Sequence, residues 1–206
     1  MTAPELTIIL VAGPSGSGKS RLSAQTGVPQ LRLDDFYHDH DHPGLPRTTL
    51  PGGVEIIDWD DVASWDAQAA VSALAELART GRTNVPDYDI STSSTLGHNE
   101  FVLPANTSAL ICEGIFAVDL ARPCREAGLR VESIWLDRPR WFNFARRLQR
   151  DLRQRRKSPG VLVRRGLALV QAEPAMRRVA LDRGFTPLGM RAAADRVRHL
   201  AGQTPF

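Results

Sequence analysis

The residues Gly13-Pro14-Ser15-Gly16-Ser17-Gly18-Lys19-Ser20 carry the densest chemical signal in the chain. Their pattern, G-x-x-x-x-G-K-[ST], is built to hold a polyphosphate. Glycines let consecutive backbone N–H groups curl around an anion, and a following helix adds its positive N-terminal end. Gly13, Ser15, Gly16, Ser17 and Gly18 would supply that cradle. Lys19 would reach the β- and γ-phosphates, and the Ser20 hydroxyl would coordinate Mg²⁺. Of the 26 basic residues only Lys19 and Lys157 are lysine, so a chain that almost never uses lysine uses one here.

Acids stand at two further points. Glu113 follows the apolar run Ala109-Leu110-Ile111-Cys112 and precedes Gly114. A carboxylate at the end of a second buried strand is where a phosphate-loop protein keeps its Mg²⁺-organising acid. Asp34-Asp35-Phe36-Tyr37 follows Leu31-Arg32-Leu33. One of the two aspartates could accept a proton from an acceptor hydroxyl; an Asx turn or a helix cap fits the same spacing. In an extended stretch neighbouring side chains point to opposite sides, so only one of the pair would face the phosphate. His38-Asp39-His40-Asp41-His42 alternates metal-ligating types but lacks the spacing of a rigid site, and reads as a solvated loop near the acceptor.

The third signal is charge. Residues 138–165 hold eleven basic side chains and one acid, a net +10 in a chain whose formal charge is +3. A positive block on an otherwise acidic body suggests a phosphate-rich ligand docking at one place.

These groups need a scaffold. Leu6–Ala12 is nearly all apolar and β-branched, as for a strand buried on both faces of a parallel sheet. Residues 19–26 fit a helix stopped by Gly27, and Leu31–Leu33 a short strand. Residues 38–57 read as a long loop. Apolar positions Val62, Trp65, Ala69, Ala73 and Leu77 predict an amphipathic helix over 61–80, stopped by Gly81. Residues 82–107 suggest a hairpin, and 109–112 and 131–136 two more strands. Trp141, Ala145, Leu148 and Leu152 predict one face of a helix whose other face is arginine. Residues 161–201 read as two helices divided near Gly184–Gly189, with Pro174 interrupting the first, and no apolar strand is expected among them. Strands alternating with helices predict an α/β fold with a mainly parallel sheet, its ligands beyond the carboxyl ends of the strands.

Length and composition agree. Hydrophobic residues at 42% and charged residues at 24% exclude wholesale disorder and collagen. A chain of 206 residues buries about 70% of its unfolded surface and needs no disulfide to fold. Cys112 and Cys124 make no metal-type pair, which favours a reduced, cytoplasmic setting. No run approaches the roughly 20 apolar residues of a membrane span, and Met1–Glu5 lacks the basic start of a signal peptide.

Taken together, the phosphate loop, Asp34-Asp35-Phe36-Tyr37, Trp59-Asp60, Pro86-Asp87-Tyr88-Asp89, Ile111-Cys112-Glu113-Gly114-Ile115 and Arg146-Arg147-Leu148-Gln149-Arg150-Asp151 fall in one order. That order resembles the uridine kinase branch of the uridine kinase/phosphoribulokinase family over residues 6 to about 157. The resemblance implies a P-loop NTPase-type sheet flanked by helices. It implies one kinase domain over 1–206, with an Arg-rich lid at about 138–165. The helical C-terminal segment read from about 161 departs from the family, which carries an apolar strand near its C-terminus. It implies Asp34 as the base, and Tyr37, Asp60, Tyr88 and Ile115 around a nucleoside. Arg147, Arg150 and Arg155 would be lid arginines closing over the phosphates. Where the family carries a pyrimidine-recognising His, this chain has Ser93.

The expectation is a kinase using ATP and Mg²⁺ on a small neutral acceptor, with uridine or cytidine leading. Acids at Asp34, Asp35, Asp60, Asp61, Asp87 and Asp89 suit hydroxyls and repel an acceptor that already bears phosphate. Pantothenate, glycerate or a sugar-like alcohol stays open as acceptor, as does homo-oligomerisation. The rival is an NTPase whose arginines bind nucleic acid; Trp141, Phe142 and Phe144 form no stacking motif and argue against it.

Overall fold

A computed structural model describes residues 6–49, 52–153 and 159–203, and side chains within them except at 150–153, 159–166 and 168. The first half contains β1 (Thr7–Ala12), α1 (Lys19–Thr26), β2 (Gln30–Arg32), β3 (Arg47–Thr49), β4 (Glu55–Ile57), α2 (Ala67–Thr80), β5 (Arg82–Asp89) and β6 (Ser94–Val102). The second contains β7 (Ala109–Glu113), α3 (Ala117–Glu126), β8 (Arg130–Leu136), α4 (Arg140–Arg153), α5 (Pro159–Asp182), β9 (Thr186–Leu188) and α6 (Met190–Leu200).

Five strands form one parallel sheet in the order β2-β7-β1-β8-β9. β1 lies at its centre with all six residues buried. Alternation along it feeds two cores. Ile8, Leu10 and Ala12 pack toward α2 and α3 with Leu74, Leu77 and Leu120, whereas Ile9 and Val11 pack toward α1 and α6 with Leu22 and Val197. A strand apolar at every position is therefore the strand that helices must cover on both faces.

Several expectations need correction. The helix predicted from residue 61 starts later: Asp61 caps a 3₁₀ turn at Val62–Ser64, and Asp66 caps α2 by accepting from the Ala69 N–H at 2.8 Å. The loop over 38–57 contains the small antiparallel pair β3–β4. Pro174 sits inside the unbroken helix α5 rather than interrupting it. The C-terminal part also contributes a strand: β9 pairs with β8 through Ile134–Thr186, Trp135–Pro187 and Leu136–Leu188. Three residues, Thr-Pro-Leu, present no apolar alternation to read, and an edge strand tolerates the missing N–H of Pro187.

The arginine helix is oriented differently from its apolar pattern. Trp141 is 63% exposed and Ala145 is exposed, Leu148 is half-buried and the Leu152 side chain lies outside the described residues, whereas the fully buried position is Asn143 and Arg147 is only 6% exposed. The reason is a polar partner, Glu173 of α5. Cys112 and Cys124 are free and buried. Among the described residues no helix is long and apolar enough to cross a membrane.

Candidate active site

The carboxyl ends of β1, β2 and β7 converge on a cavity of about 560 Å³. Of the residues singled out above, Ser15, Gly16, Gly18, Lys19, Ser20, Asp34, Glu113, Ile115 and Arg147 line it. The turn between β1 and α1 requires its glycines. Gly16 (φ +90) would place a Cβ 2.5 Å from the Asn143 carbonyl oxygen, so the loop can pass under α4 only without a side chain. Gly13 and the buried Ser17 lie beneath the cavity rather than in its wall, close to the end of β8 at Leu136. Lys19 Nζ donates to the Gly13 carbonyl at 2.9 Å, which folds the ammonium back over the loop.

Ser20 Oγ donates to Glu113 Oε1 at 2.9 Å across 93 residues of sequence. Gln30 Nε2, at the start of β2, donates to the same oxygen at 2.9 Å. Gln30 escaped the sequence reading: nothing in its neighbourhood signals an amide that orients a carboxylate on another strand.

Asp34 stands in a 3₁₀ turn at Leu33–Phe36, not in an extended stretch. In such a turn neighbouring side chains do not alternate between opposite faces, yet the two aspartates still part. Asp34 lines the cavity with Lys19 and Glu113. Asp35 turns to Arg32, 3.4 Å away. Burial, then the Glu113 charge, pushes the Asp34 carboxyl up, with Lys19 and Arg32 pulling the other way. Burial raises Asp35 to about 6 despite Arg32. Gly114 also escaped notice as more than a neighbour of Glu113. A Cβ there would lie 2.9 Å from Asp34 Oδ1 and 2.8 Å from Leu33 Cβ, so its bareness sets where the Asp34 carboxylate rests.

Tyr37, Asp60 and Tyr88 do not line this cavity. Tyr37 meets Trp59, Tyr88 and Phe116, with ring centroids 5.7, 5.8 and 5.7 Å away. Its hydroxyl donates to the Trp59 carbonyl, and the Tyr88 hydroxyl donates to the His38 carbonyl at 3.4 Å. Asp60 is exposed beside this group; its N–H donates to Asp58 Oδ1, and the following turn and helix are capped by Asp61 and Asp66 instead. The Arg150 side chain and Arg155 lie outside the described residues.

Two more cavities flank the site. One of about 640 Å³ lies on the other side of the phosphate loop, between Pro14, Trp135, Arg138, Glu173 and Pro187. The other, of about 540 Å³, lies behind Tyr37 among His38, His42, Asp66 and His98. His38 and His42 stack at 4.0 Å. Among the described residues no three His, Cys, Asp or Glu side chains are grouped to hold a metal ion.

The chain matches known proteins over most of its length. A family model described as "Phosphoribulokinase / Uridine kinase family" matches residues 8–164. A uridine kinase of Deinococcus deserti is 26% identical over 172 residues, covering 80% of this chain and 77% of that protein. A uridine kinase of Clostridium tetani is 25% identical over 171 residues, with the same two coverages. Likeness of fold extends to a solved structure assigned as a fructose transport system kinase from Silicibacter sp. TM1040. It has a TM-score of 0.54 at 22% identity, covering 90% of this chain and 89% of that one. With the match spanning β1 to the start of α5, and the phosphate loop, Glu113 and Asp34 around one cavity, the chain belongs to the phosphoribulokinase/uridine kinase family and is an ATP-dependent P-loop kinase with a hydroxyl acceptor.

Proposed function

We propose that this kinase moves the γ-phosphoryl group of ATP to a hydroxyl of a small neutral acceptor, with uridine or cytidine leading. The convergence of Lys19, Ser20, Glu113 and Asp34 on one cavity is the observation that carries the reading. Gly13, Ser15, Gly16, Ser17 and Gly18 cradle the phosphates, and Lys19 meets the β- and γ-phosphates. Ser20 and Glu113 hold Mg²⁺. Their oxygens, 2.9 Å apart, are the hard donors that this ion prefers. Once bound, the ion neutralises charge on the phosphate oxygens.

Asp34 receives the acceptor's proton at its carboxylate. A carboxyl raised by burial is a better base near neutral pH than an ordinary one. Arg147, with Arg150 and Arg155, meets the phosphates. Tyr37, Asp60, Tyr88 and Ile115 flank the acceptor, and the carboxylates around them favour a neutral molecule over a phosphorylated one.

One observation favours a second reading within the same chemistry. Both tyrosine hydroxyls are spent on backbone carbonyls, and Ser93 occupies the hairpin tip with φ +51 where the family resemblance calls for His. Pyrimidine edges then find few donors, and a neutral sugar-like alcohol fits the remaining carboxylates; pantothenate and glycerate, themselves anions at neutral pH, fit them less well.

We also read the chain as one domain in a reduced, cytoplasmic setting, with two buried free thiols in support. Residues from about 138 to 165 act as a lid closing over ATP. A nucleic-acid role is disfavoured, since the aromatic residues of α4 form no stacking platform: Trp141 and Phe144 meet edge to face, and Arg138 and Arg146 lie over the partly exposed Phe142 ring. The test is initial rates with MgATP over nucleosides and small alcohols. Highest kcat/KM with uridine or cytidine supports the first reading. Turnover confined to a non-nucleoside alcohol selects the second. ATP hydrolysis stimulated only by polynucleotide overturns both.

A further inference from the structure

Glu173 belongs to α5, beyond the stretch of chain that the family model matches. It is 5% exposed, and its Oε1 lies 3.8 Å from Arg147 Nη2, itself 6% exposed. Asn143, one turn before Arg147 on α4 and fully buried, donates from Nδ2 to Glu173 Oε2 at 3.3 Å. The same turn of α4 rests on the phosphate loop, with the Asn143 carbonyl and the Arg147 N–H against Gly16. Arg147 lines the phosphate cavity, and Glu173 lines the cavity beside Pro14, so the pair forms the wall between them.

The helix that carries Glu173 is anchored in register. Four residues on, Arg177 donates from Nε and Nη2 to Asp137 Oδ2 at 3.2 and 3.0 Å, at the end of β8. Residues four apart share a helix face, so Glu173 and Arg177 both point at the start of α4. Burying a carboxylate beside a phosphate site is unfavourable, and burial does push the Glu173 carboxyl up, with Asn143, Arg147 and Arg140 opposing. A side chain of this kind is explained if its charge is used.

The geometry points to Glu173 as a positioning residue: with Asn143 it holds the Arg147 guanidinium in the wall of the phosphate cavity. This rests on the reading that Arg147 meets the transferring phosphates. An arginine on a helix crowded by Arg138, Arg140 and Arg146 is pushed toward solvent by its neighbours. A buried counter-charge on the opposite helix reverses that preference. At 3.8 Å Glu173 Oε1 makes no hydrogen bond to Arg147 Nη2, so the pull is that of charge on charge; it acts before ATP arrives, which is preorganisation rather than binding. Glu173 itself touches no substrate.

The test is a double-mutant cycle on Glu173 and Arg147 with the full-length kinase and its best acceptor. Arg147→Ala is expected to lower kcat by about 10²–10³-fold, the usual loss for one preorganised stabiliser. Glu173→Gln keeps shape and the Asn143 contact but removes the charge. It is expected to lower kcat about 10- to 100-fold, the scale of a misplacement of about 1 Å, with Tm shifted little. On the Arg147→Ala background the same substitution is expected to have almost no further effect on kcat. Normal kcat in Glu173→Gln beside an impaired Arg147→Ala overturns the positioning role. So does a Glu173→Gln loss that multiplies in full on Arg147→Ala. Normal kinetics in Arg147→Ala overturns the phosphate reading of Arg147, and the positioning role falls with it. If Glu173→Gln does not fold, Glu173→Asp carries the test. It keeps the charge but draws it back, and wild-type kcat in that variant overturns the role.

Discussion

Gly114→Ala tests most sharply whether the rest position of Asp34 governs turnover. A Cβ at Gly114 would lie 2.8 Å from Leu33 Cβ and 2.9 Å from Asp34 Oδ1. Ordinary contact begins at about 3.5 Å, so both neighbours would need to retreat by more than about 0.5 Å. Leu33 is 1% exposed within the larger core and has nowhere to go. The displacement therefore falls on the Asp34 carboxylate or on the β7–α3 connection that carries Gly114. Backbone strain is not the cause, because Gly114 does not have a positive φ. Overpacking of this kind costs about 1–3 kcal/mol, or several degrees of Tm in a domain of this size. Loss of alignment between base and acceptor is expected to cost about 10- to 100-fold in kcat. The assay is steady-state phosphoryl transfer at saturating MgATP, with Tm read on the same preparation. Gly97→Ala is the control: nothing lies within 4 Å of its added Cβ, and both kcat and Tm are expected to hold. A Gly114→Ala enzyme with kcat within about twofold of wild type would refute the claim that this contact sets the base.

Three further outcomes are expected. Lys19→Ala should cut phosphoryl transfer by about 10²–10³-fold or more with circular dichroism unchanged, since Lys19 faces the cavity and not the core; normal turnover would sink its phosphate role. Asp34→Asn should lower kcat by about 10²–10⁴-fold at saturating Mg²⁺, whereas Asp35→Asn, directed at Arg32, should cost far less; the reverse order would move the base by one residue. Asp35 also leaves a mark on stability, because its folded carboxyl stands at about 6, above its unfolded value of about 4. The fold thus binds the proton more tightly than the unfolded chain, and stability falls as pH rises from about 4 to 6, by about 3 kcal/mol at most. Asp35→Asn should therefore raise Tm at pH 7.5 and lose that advantage at pH 4; an equal advantage at both values would contradict the assignment.

The phosphate loop was legible because its chemistry is local: eight consecutive residues, glycines free to adopt φ +90 and +98, a strand before and a helix after. β1 was legible because burial on both faces leaves an unbroken apolar run. Glu113 and Asp34 were legible as acids at strand ends, but not the reason that Asp34 and Asp35 diverge, which is a 3₁₀ turn with Arg32 on one side and Gly114 on the other. Gln30 had no signal at all, since its bond to Glu113 spans 83 residues and depends on β2 and β7 lying side by side in register. β9 was too short to alternate. The arginine helix misled for the most physical reason. Apolar periodicity reports which face is buried only when burial is hydrophobic, and here Asn143 and Arg147 are buried because Glu173 partners them from a helix that the sequence does not show to be their neighbour. The types of the reacting groups follow from the order of residues. Which carboxylate faces the phosphate, and which arginine is held inward, follow from contacts between segments that only the folded chain brings together.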